Sequence, residues 1–300
     1  MVSIILPTYN GSRYLARSLT SCLRQSYSEI EVIAVNDGST DDTLSILLKF
    51  AEEDKRLRVI NLTKNVGLPR ALNAGFEHAR GEFLTWTSDD NYYAENAIEE
   101  MVKFLEAHPE IDFVYTDYII VDEEDRVLGY RQVSEPEKII FQNIVGPCFL
   151  YRRRVYERLG GYDPNYALAE DYEYWLRVLC YFRALPVHRP LYYYRCHRAS
   201  LSAKFKNSVR KVRWQAQWKW LPLIPWITKQ QRAKVYLSLG AEAFQAGNRW
   251  QAIRCLALCL HQQPAMVFNP LTVKLLAKVI LPPPLVRAIH VARDYFRTVE

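Results

Sequence analysis

Two adjacent carboxylates, Asp89-Asp90, follow the apolar run Phe83-Leu84-Thr85-Trp86-Thr87 and stand between Ser88 and Asn91. Acidic groups placed where a buried strand emerges make a hard, oxygen-rich site. Such a site suits a divalent cation that carries a phosphate-bearing ligand. Four other acidic pairs, Asp41-Asp42, Glu52-Glu53, Glu99-Glu100 and Glu123-Glu124, read as solvated helix or loop faces. A further pair, Glu170-Asp171, precedes Trp175, Leu176 and Leu179 at helical spacing. At a helix start the macrodipole favours an ionised carboxylate, although capping alone would also explain an Asp there.

The elements that position these groups follow from periodicity. Val2–Leu6, Glu31–Val35, Leu57–Leu62 and Phe83–Thr87 are short apolar runs of strand character. Helical spacings lie between them: Leu15, Leu19, Cys22, Leu23; then Leu44, Leu47, Leu48, Ala51; then Ala71, Leu72, Gly75, Phe76, Ala79. Asp41 is the expected N-cap of the second helix. Strictly alternating strand and helix predict an α/β domain with a mostly parallel sheet and helices on both faces. Open sheets of this kind bind ligands outside the carboxyl ends of their strands. Here those ends carry Pro7-Thr8-Tyr9-Asn10-Gly11, Asn36-Asp37-Gly38-Ser39, Lys64-Asn65-Val66-Gly67 and Ser88-Asp89-Asp90-Asn91. Turns alone favour Asn, Asp, Gly and Ser, but acidic and aromatic groups recur where a turn needs neither.

Composition bounds the rest. Three hundred residues with 49% hydrophobic content can bury one large core, or a main domain with an appendage. Met1-Val2-Ser3-Ile4-Ile5-Leu6 runs straight into Pro7, unlike a secretory leader. No apolar stretch approaches the roughly 18 residues of a membrane-spanning helix. Six cysteines without regular spacing read as reduced, mostly buried thiols of a cytosolic protein. Cys255 and Cys259 are one helical turn apart with no second pair to complete a zinc set, so they read as core thiols. Residues 205–300 hold 15 Lys and Arg against 3 Asp and Glu, and five of the seven tryptophans; the first 204 residues are net acidic. Such a cationic, aromatic region favours anionic lipid headgroups; a solvated helical bundle with buried Trp is the plainer reading. No recognition motif accompanies the charge, so a nucleic-acid partner is not expected. Neither a Walker A nor a dinucleotide Gly-x-Gly-x-x-Gly sequence is present. Thr8-Tyr9-Asn10 also lacks the Gly-rich basic loop of a nucleotidyltransferase.

Several ordered motifs carry a family resemblance. They are Ser3–Asn10, Val35–Thr43, Asn65-x-Gly67 with Ala71-x-Asn73-x-Gly75, and Gly146–Arg153. Gly160-Gly161-Tyr162-Asp163, Glu170–Arg177 and Tyr194-Arg195-x-His197-x-x-Ser200-x-Ser202 follow. Together they resemble glycosyltransferase family 2 over about residues 1–204. The resemblance implies a GT-A fold, a nucleotide-diphosphate sugar as donor, and a glycan or lipid-linked acceptor. It implies a nucleotide-binding half near 1–110 and an acceptor half near 111–204, followed by a helical C-terminal region, 205–300. Gly240–Asn248 with Ala252, Leu256, Leu260 and Pro264 resembles one tetratricopeptide-type hairpin, and a single copy cannot build a solenoid.

Site roles follow from the resemblance position by position. Pro7, Thr8 and Tyr9 would line the nucleobase pocket, and Asp37 would accept the imide N–H of uracil or thymine. Asn65 and Arg70 would lie close to the nucleotide. Asp89 and Asp90 match the family's acidic motif, with Asp90 assigned to Mg2+ or Mn2+ and Asp89 to ribose; the reverse assignment stays open. Thr87 stands where the commonest form, Asp-x-Asp-Asp, has its first acid. His197 would close over the diphosphate or the metal. Asp171, with Glu170 beside it, would be the general base of an inverting displacement. The competing reading is a nucleotide-sugar-binding protein without turnover, its tail serving as an interaction module. The expected location is cytoplasmic, with peripheral attachment to the inner face of the membrane through 205–300.

Overall fold

The computed structural model describes residues 1–197 and 205–280. They fall into two compact units, Met1–Ile224 and a second beginning at Pro225. Ser200 and Ser202 of the sequence motif lie outside the described residues.

The four apolar runs form β1 (Val2–Thr8), β2 (Ile30–Asp37), β3 (Leu57–Leu62) and β4 (Phe83–Trp86). They pair in parallel in the order β3-β2-β1-β4. The helices α1 (Ser12–Leu23), α2 (Thr43–Glu53) and α3 (Leu68–Glu77) connect them. Every residue of β1 and β2 is buried, as expected for strands covered on both faces. Leu15, Leu19 and Cys22 of α1 pack into the core with Ile4, Leu6 and Val32. The order reverses between β1 and β4, so a crevice opens at their carboxyl ends.

The second half of the sheet is built differently. After β5 (Tyr92–Tyr93) and α4 (Ala97–Ala107) come the long β6 (Phe113–Val121), β7 (Val127–Arg131) and β8 (Phe149–Arg152). Next are α5 (Arg153–Leu159), α6 (Glu170–Tyr181) and β9 (Ala184–Arg195). β8 joins β4 to β6, antiparallel to both. β9 runs parallel to β6, while β7 and β5 add antiparallel edges. The expected parallel pairing therefore describes the first half, and the complete nine-stranded sheet is mixed. Asp41, expected to cap α2, lies one residue before the cap position. Its carboxylate accepts from Thr43 N at 3.1 Å and from Ser12 N at 3.2 Å, tying the starts of α1 and α2 together.

α6 is buried on nearly every side, with Tyr172, Tyr174, Trp175, Leu176 and Val178 in the core. Its fully buried Glu173 pairs with Arg177 at 3.0 Å and accepts from Trp220 Nε1 at 2.8 Å. Trp220 ends α7 (Lys206–Trp220). Thus a helix that sequence composition groups with the basic tail packs within the first unit. The physical reason is that α6 buries a carboxylate whose second oxygen only α7 satisfies.

The second unit holds α8 (Lys229–Gln245), α9 (Arg249–Gln262) and α10 (Pro270–Ile280). Thr228 and Gln231 form a capping box on α8. Cys255 and Cys259 are buried core thiols on α9. No described helix is long and apolar enough to cross a membrane.

Candidate active site

The loops after β1, β2 and β4 are bonded into one cradle. Asn10 accepts from Thr40 N at 2.8 Å and donates its own N–H to Ser39 Oγ at 2.9 Å. Gly11 N donates to Thr43 Oγ1 at 3.0 Å. Across the β1/β4 crevice, Thr8 Oγ1 donates to Asp89 Oδ2 at 2.5 Å. Asp89 lies directly over Gly11, where any Cβ would overlap Oδ2 and Thr8 Oγ1. Only glycine permits this approach. A Gly11→Ala variant is therefore expected to part the Asp89 carboxylate from Thr8 Oγ1, which a crystal structure of the variant would show.

Burial and the Asp90 charge push the Asp89 carboxyl up to about 7. Asp90 accepts at Oδ2 from the His197 ring, 2.8 Å away, while its buried Oδ1 has no partner among the described residues. An orphaned buried carboxylate oxygen is costly unless a cation or donor meets it. Among the described residues no cluster of three or more His, Cys, Asp or Glu forms a complete protein cage. One open carboxylate oxygen, with Asp89 adjacent, fits a cation that takes most of its ligands from phosphate and water. Thr87 is turned away from this site. Its Oγ1 shares a hydrogen bond with the buried Tyr192 hydroxyl at 2.5 Å, so an acid at that position would face the sheet interior.

Arg195, which sequence reasoning quoted but gave no role, locks the acidic turn. It is 3% exposed. Its backbone N–H donates to Asn91 Oδ1 and its Nε to the Asp90 carbonyl, at 2.7 and 2.9 Å. The guanidinium also reaches the Asp122 and Glu123 carbonyls and the Asp125 carboxylate, and lies 4.5 Å from the Tyr14 ring centroid. Tyr14 in turn tilts against the His197 ring at 5.5 Å.

The remaining residues that the sequence assigns to the nucleotide lie at the ends of β1 and β2 and around the start of α3. Pro7 and Thr8 are buried at the end of β1, and Tyr9 is half exposed beyond it. Asp37 is 3% exposed, and its oxygens accept from Val66 N and Gly67 N at 2.7 and 3.0 Å. It organises the loop that carries the exposed Asn65 and leads into α3, where Arg70 is exposed, and each of its oxygens keeps a lone pair.

Asp171 opens α6 and faces a cavity of about 520 Å³. Ser88 and Asn91, which flank Asp89-Asp90, line the same cavity, together with Trp86, Tyr118, Trp175 and Tyr194. Asp171 Oδ1 accepts from Tyr172 N at 2.6 Å and Oδ2 from Asn143 Nδ2 at 2.8 Å. Burial raises its pKa, opposed by those two donors and by Arg213. Glu170 Oε2 is buried without a described partner, and burial plus the Asp171 charge push this carboxyl up to about 7. The expectation of a carboxylate set by the helix N-terminus alone leaves out this burial. Asn143 was not legible as a site residue, because it lies in the irregular segment before β8, where no periodicity marks a function.

The family model described as Glycosyl transferase family 2 matches residues 3–160. The chain belongs to glycosyltransferase family 2. Among curated proteins, this family 2 chain is 29% identical over 230 residues to an uncharacterised glycosyltransferase of Rickettsia typhi, covering 73% of this chain and 70% of that one. It spans 32% of a longer Rickettsia felis relative, also an uncharacterised glycosyltransferase, at 29% identity over 63% of this chain. Its GT-A fold is shared with Staphylococcus aureus TarS in complex with UDP, with a TM-score of 0.65 at 20% identity, covering 93% of this chain and 88% of that one. A mannosyltransferase from Pyrobaculum calidifontis, solved with GDP-Man and Mn2+, aligns with a TM-score of 0.55 at 20% identity over 98% of this chain and 79% of that one.

Proposed function

We propose that this glycosyltransferase is inverting and moves a sugar from a UDP- or dTDP-linked donor to an acceptor hydroxyl in polysaccharide or glycolipid synthesis. One observation carries the reading: Asp171 and the turn bearing Asp89-Asp90 bound the same cavity. TarS binds UDP and UDP-GlcNAc in the crystals that share this fold, which supports a uridine-type donor.

Thr8 and Tyr9 would flank the base, and Asp37 would use a remaining lone pair on its imide N–H. Asn65 and Arg70 would close the rim beside the nucleotide. Asp89 would take the ribose hydroxyls. Asp90, with His197 on its other oxygen, would hold Mg2+ or Mn2+. When bound, such a cation neutralises the charge that builds on the departing nucleoside diphosphate.

Within the cavity, Asp171 removes the acceptor hydroxyl proton. The freed oxygen attacks the anomeric carbon opposite the leaving diphosphate, and the sugar–phosphate bond breaks as the new C–O bond forms. Inversion follows from this single displacement. The pair Glu170-Asp171 shares its protons unequally. Asp171 has two hydrogen bonds and Arg213 to stabilise its charge, whereas Glu170 leaves Oε2 buried without a described partner, so Glu170 takes the proton. A base raised by burial must be ionised to act. The rate is therefore expected to fall with decreasing pH along a limb centred above pH 4, the range of a free Asp. A kcat/KM profile flat down to pH 4 would remove Asp171 from this role. Nucleoside diphosphate release from a panel of nucleotide sugars, with Mg2+ or Mn2+, tests the whole reading. Donor binding without release would favour the turnover-free alternative.

For the second unit, we propose peripheral attachment to an anionic membrane, with the enzyme acting from the cytoplasmic side. Trp250 and Phe268 are 81% and 85% exposed, and Leu271 is 65% exposed. Arg249, Arg254, Lys274 and Lys278 add positive charge to the same helices. Flotation with phosphatidylglycerol vesicles is expected to recover the full chain in the lipid fraction. Replacing Trp250, Phe268 and Leu271 by Ser should reduce that recovery severalfold; unchanged recovery would overturn the assignment. α7 contributes less than sequence composition implied, because Trp220 is held by Glu173 and Trp214 stacks on Trp218 at 5.5 Å.

A further inference from the structure

We propose that Asn143 is the positioning residue of the catalytic carboxylate, and that α7 holds it in place. The inference rests on the reading of Asp171 as the general base. Asn143 stands between two partners that dictate the orientation of its amide. Val145 N donates to its Oδ1 at 3.4 Å, so Nδ2 is the atom presented to Asp171 Oδ2 at 2.8 Å. An ionised carboxylate only accepts, so a donor is the group required there. The Tyr172 backbone N–H holds the other oxygen at 2.6 Å. These two bonds fix the carboxylate plane, and Asn143 and Asp171 line the cavity side by side.

The segment carrying Asn143 has no strand or helix of its own and is anchored from outside. Tyr172 Oη donates to the Ile139 carbonyl at 2.7 Å, and Gln217 Nε2 donates to the Ile140 carbonyl at 2.8 Å. Gln217 lies on α7 and is buried. α7 also places Arg213 over the Tyr172 ring, 4.9 Å from its centroid. One helix thus fastens the Asn143 segment and supplies a cation near the base. The charged and titratable groups facing Asp171 are Glu170 and Tyr172 on α6, Arg213 on α7, and Tyr162. Asn143 is the side-chain hydrogen-bond donor among its neighbours.

The test is the pH dependence of kcat/KM for Asn143→Ala and Asn143→Asp, beside donor affinity measured by calorimetry. Losing the donor in Asn143→Ala should move the acid limb upward by about one pH unit, with donor affinity within twofold of wild type. Asn143→Asp keeps the shape but sets a second carboxyl against Asp171, and should move the limb further, with rate recovering at high pH. An unmoved acid limb in both variants overturns the inference, whether or not kcat falls, because a merely structural residue lowers the rate without shifting the limb. Asp171→Asn separates the two claims. If that variant is active, the base assignment fails; if it is inactive while the Asn143 limb stays fixed, only the positioning claim fails.

Discussion

Asp171→Asn is expected to lower kcat about a thousandfold while leaving donor affinity unchanged. The substitution keeps volume and one of the two accepted hydrogen bonds but removes the group that accepts the acceptor's proton. Asp171 is held in place by Asn143 and by its own helix N-terminus, so its proton-accepting oxygen is a fixed one. Glu170 cannot substitute well, because burial and the Asp171 charge push its carboxyl up to about 7, where it is a proton holder beside the ionised Asp171. The corresponding change at Glu170, to Gln, should therefore cost far less and leave the acid limb of Asp171 in place, because a protonated Glu170 already carries no charge there. Single-turnover release of nucleoside diphosphate, with affinity measured separately, distinguishes these outcomes. Comparable losses at both positions would mean that the pair acts as a unit rather than as one base and its neighbour.

The second large effect belongs to the acidic turn that borders the cavity through Ser88 and Asn91. Asp90→Asn is expected to weaken nucleoside diphosphate binding in Mn2+ at least tenfold and to lower kcat about a hundredfold. Asp90 Oδ1 is the buried oxygen left open, and its partner Oδ2 is already committed to His197. Removing divalent ions with chelator should reproduce the loss in the wild type and have little further effect on the variant. Equal affinity with and without the ion, in both proteins, would show that the acidic turn binds nucleotide without a cation. His197→Ala should fall between these limits, since it aims Asp90 without carrying its charge.

Much of this arrangement was readable before any coordinates, and the reasons are specific. β1, β2 and β4 are apolar runs that give way to polar residues at Thr8, Asn36-Asp37 and Ser88, so their carboxyl ends could be located directly. The order reversal between β1 and β4 then brings Thr8 within 2.5 Å of Asp89, a contact that spacing along the chain does not reveal. Thr87 looked like a missing acid, yet its side chain faces Tyr192 inside the sheet. The period of a strand sends neighbours to opposite faces, and the sequence could not show which face Thr87 occupies. Asn143 and Arg195 escaped for another reason. Both act through bonds to groups many residues away, Asp171 in one case and the Asp90 to Asp125 segment in the other. α7 was grouped with the basic tail because its composition is cationic and aromatic, whereas its packing is decided by Glu173 and the Ile140 carbonyl needing partners.

The central claim is that a nucleotide sugar is held at the Asp89-Asp90 turn and an acceptor is deprotonated by Asp171 in the cavity this turn borders. Nucleoside diphosphate release by the wild type and by Asp171→Asn, across UDP- and dTDP-linked sugars with Mn2+, tests both parts in one measurement, with water standing in where no acceptor is supplied. Release from at least one donor by the wild type, lost in Asp171→Asn while that donor still binds, is the predicted result. Equal release by the two proteins, or binding of these donors with no release by either, would contradict it.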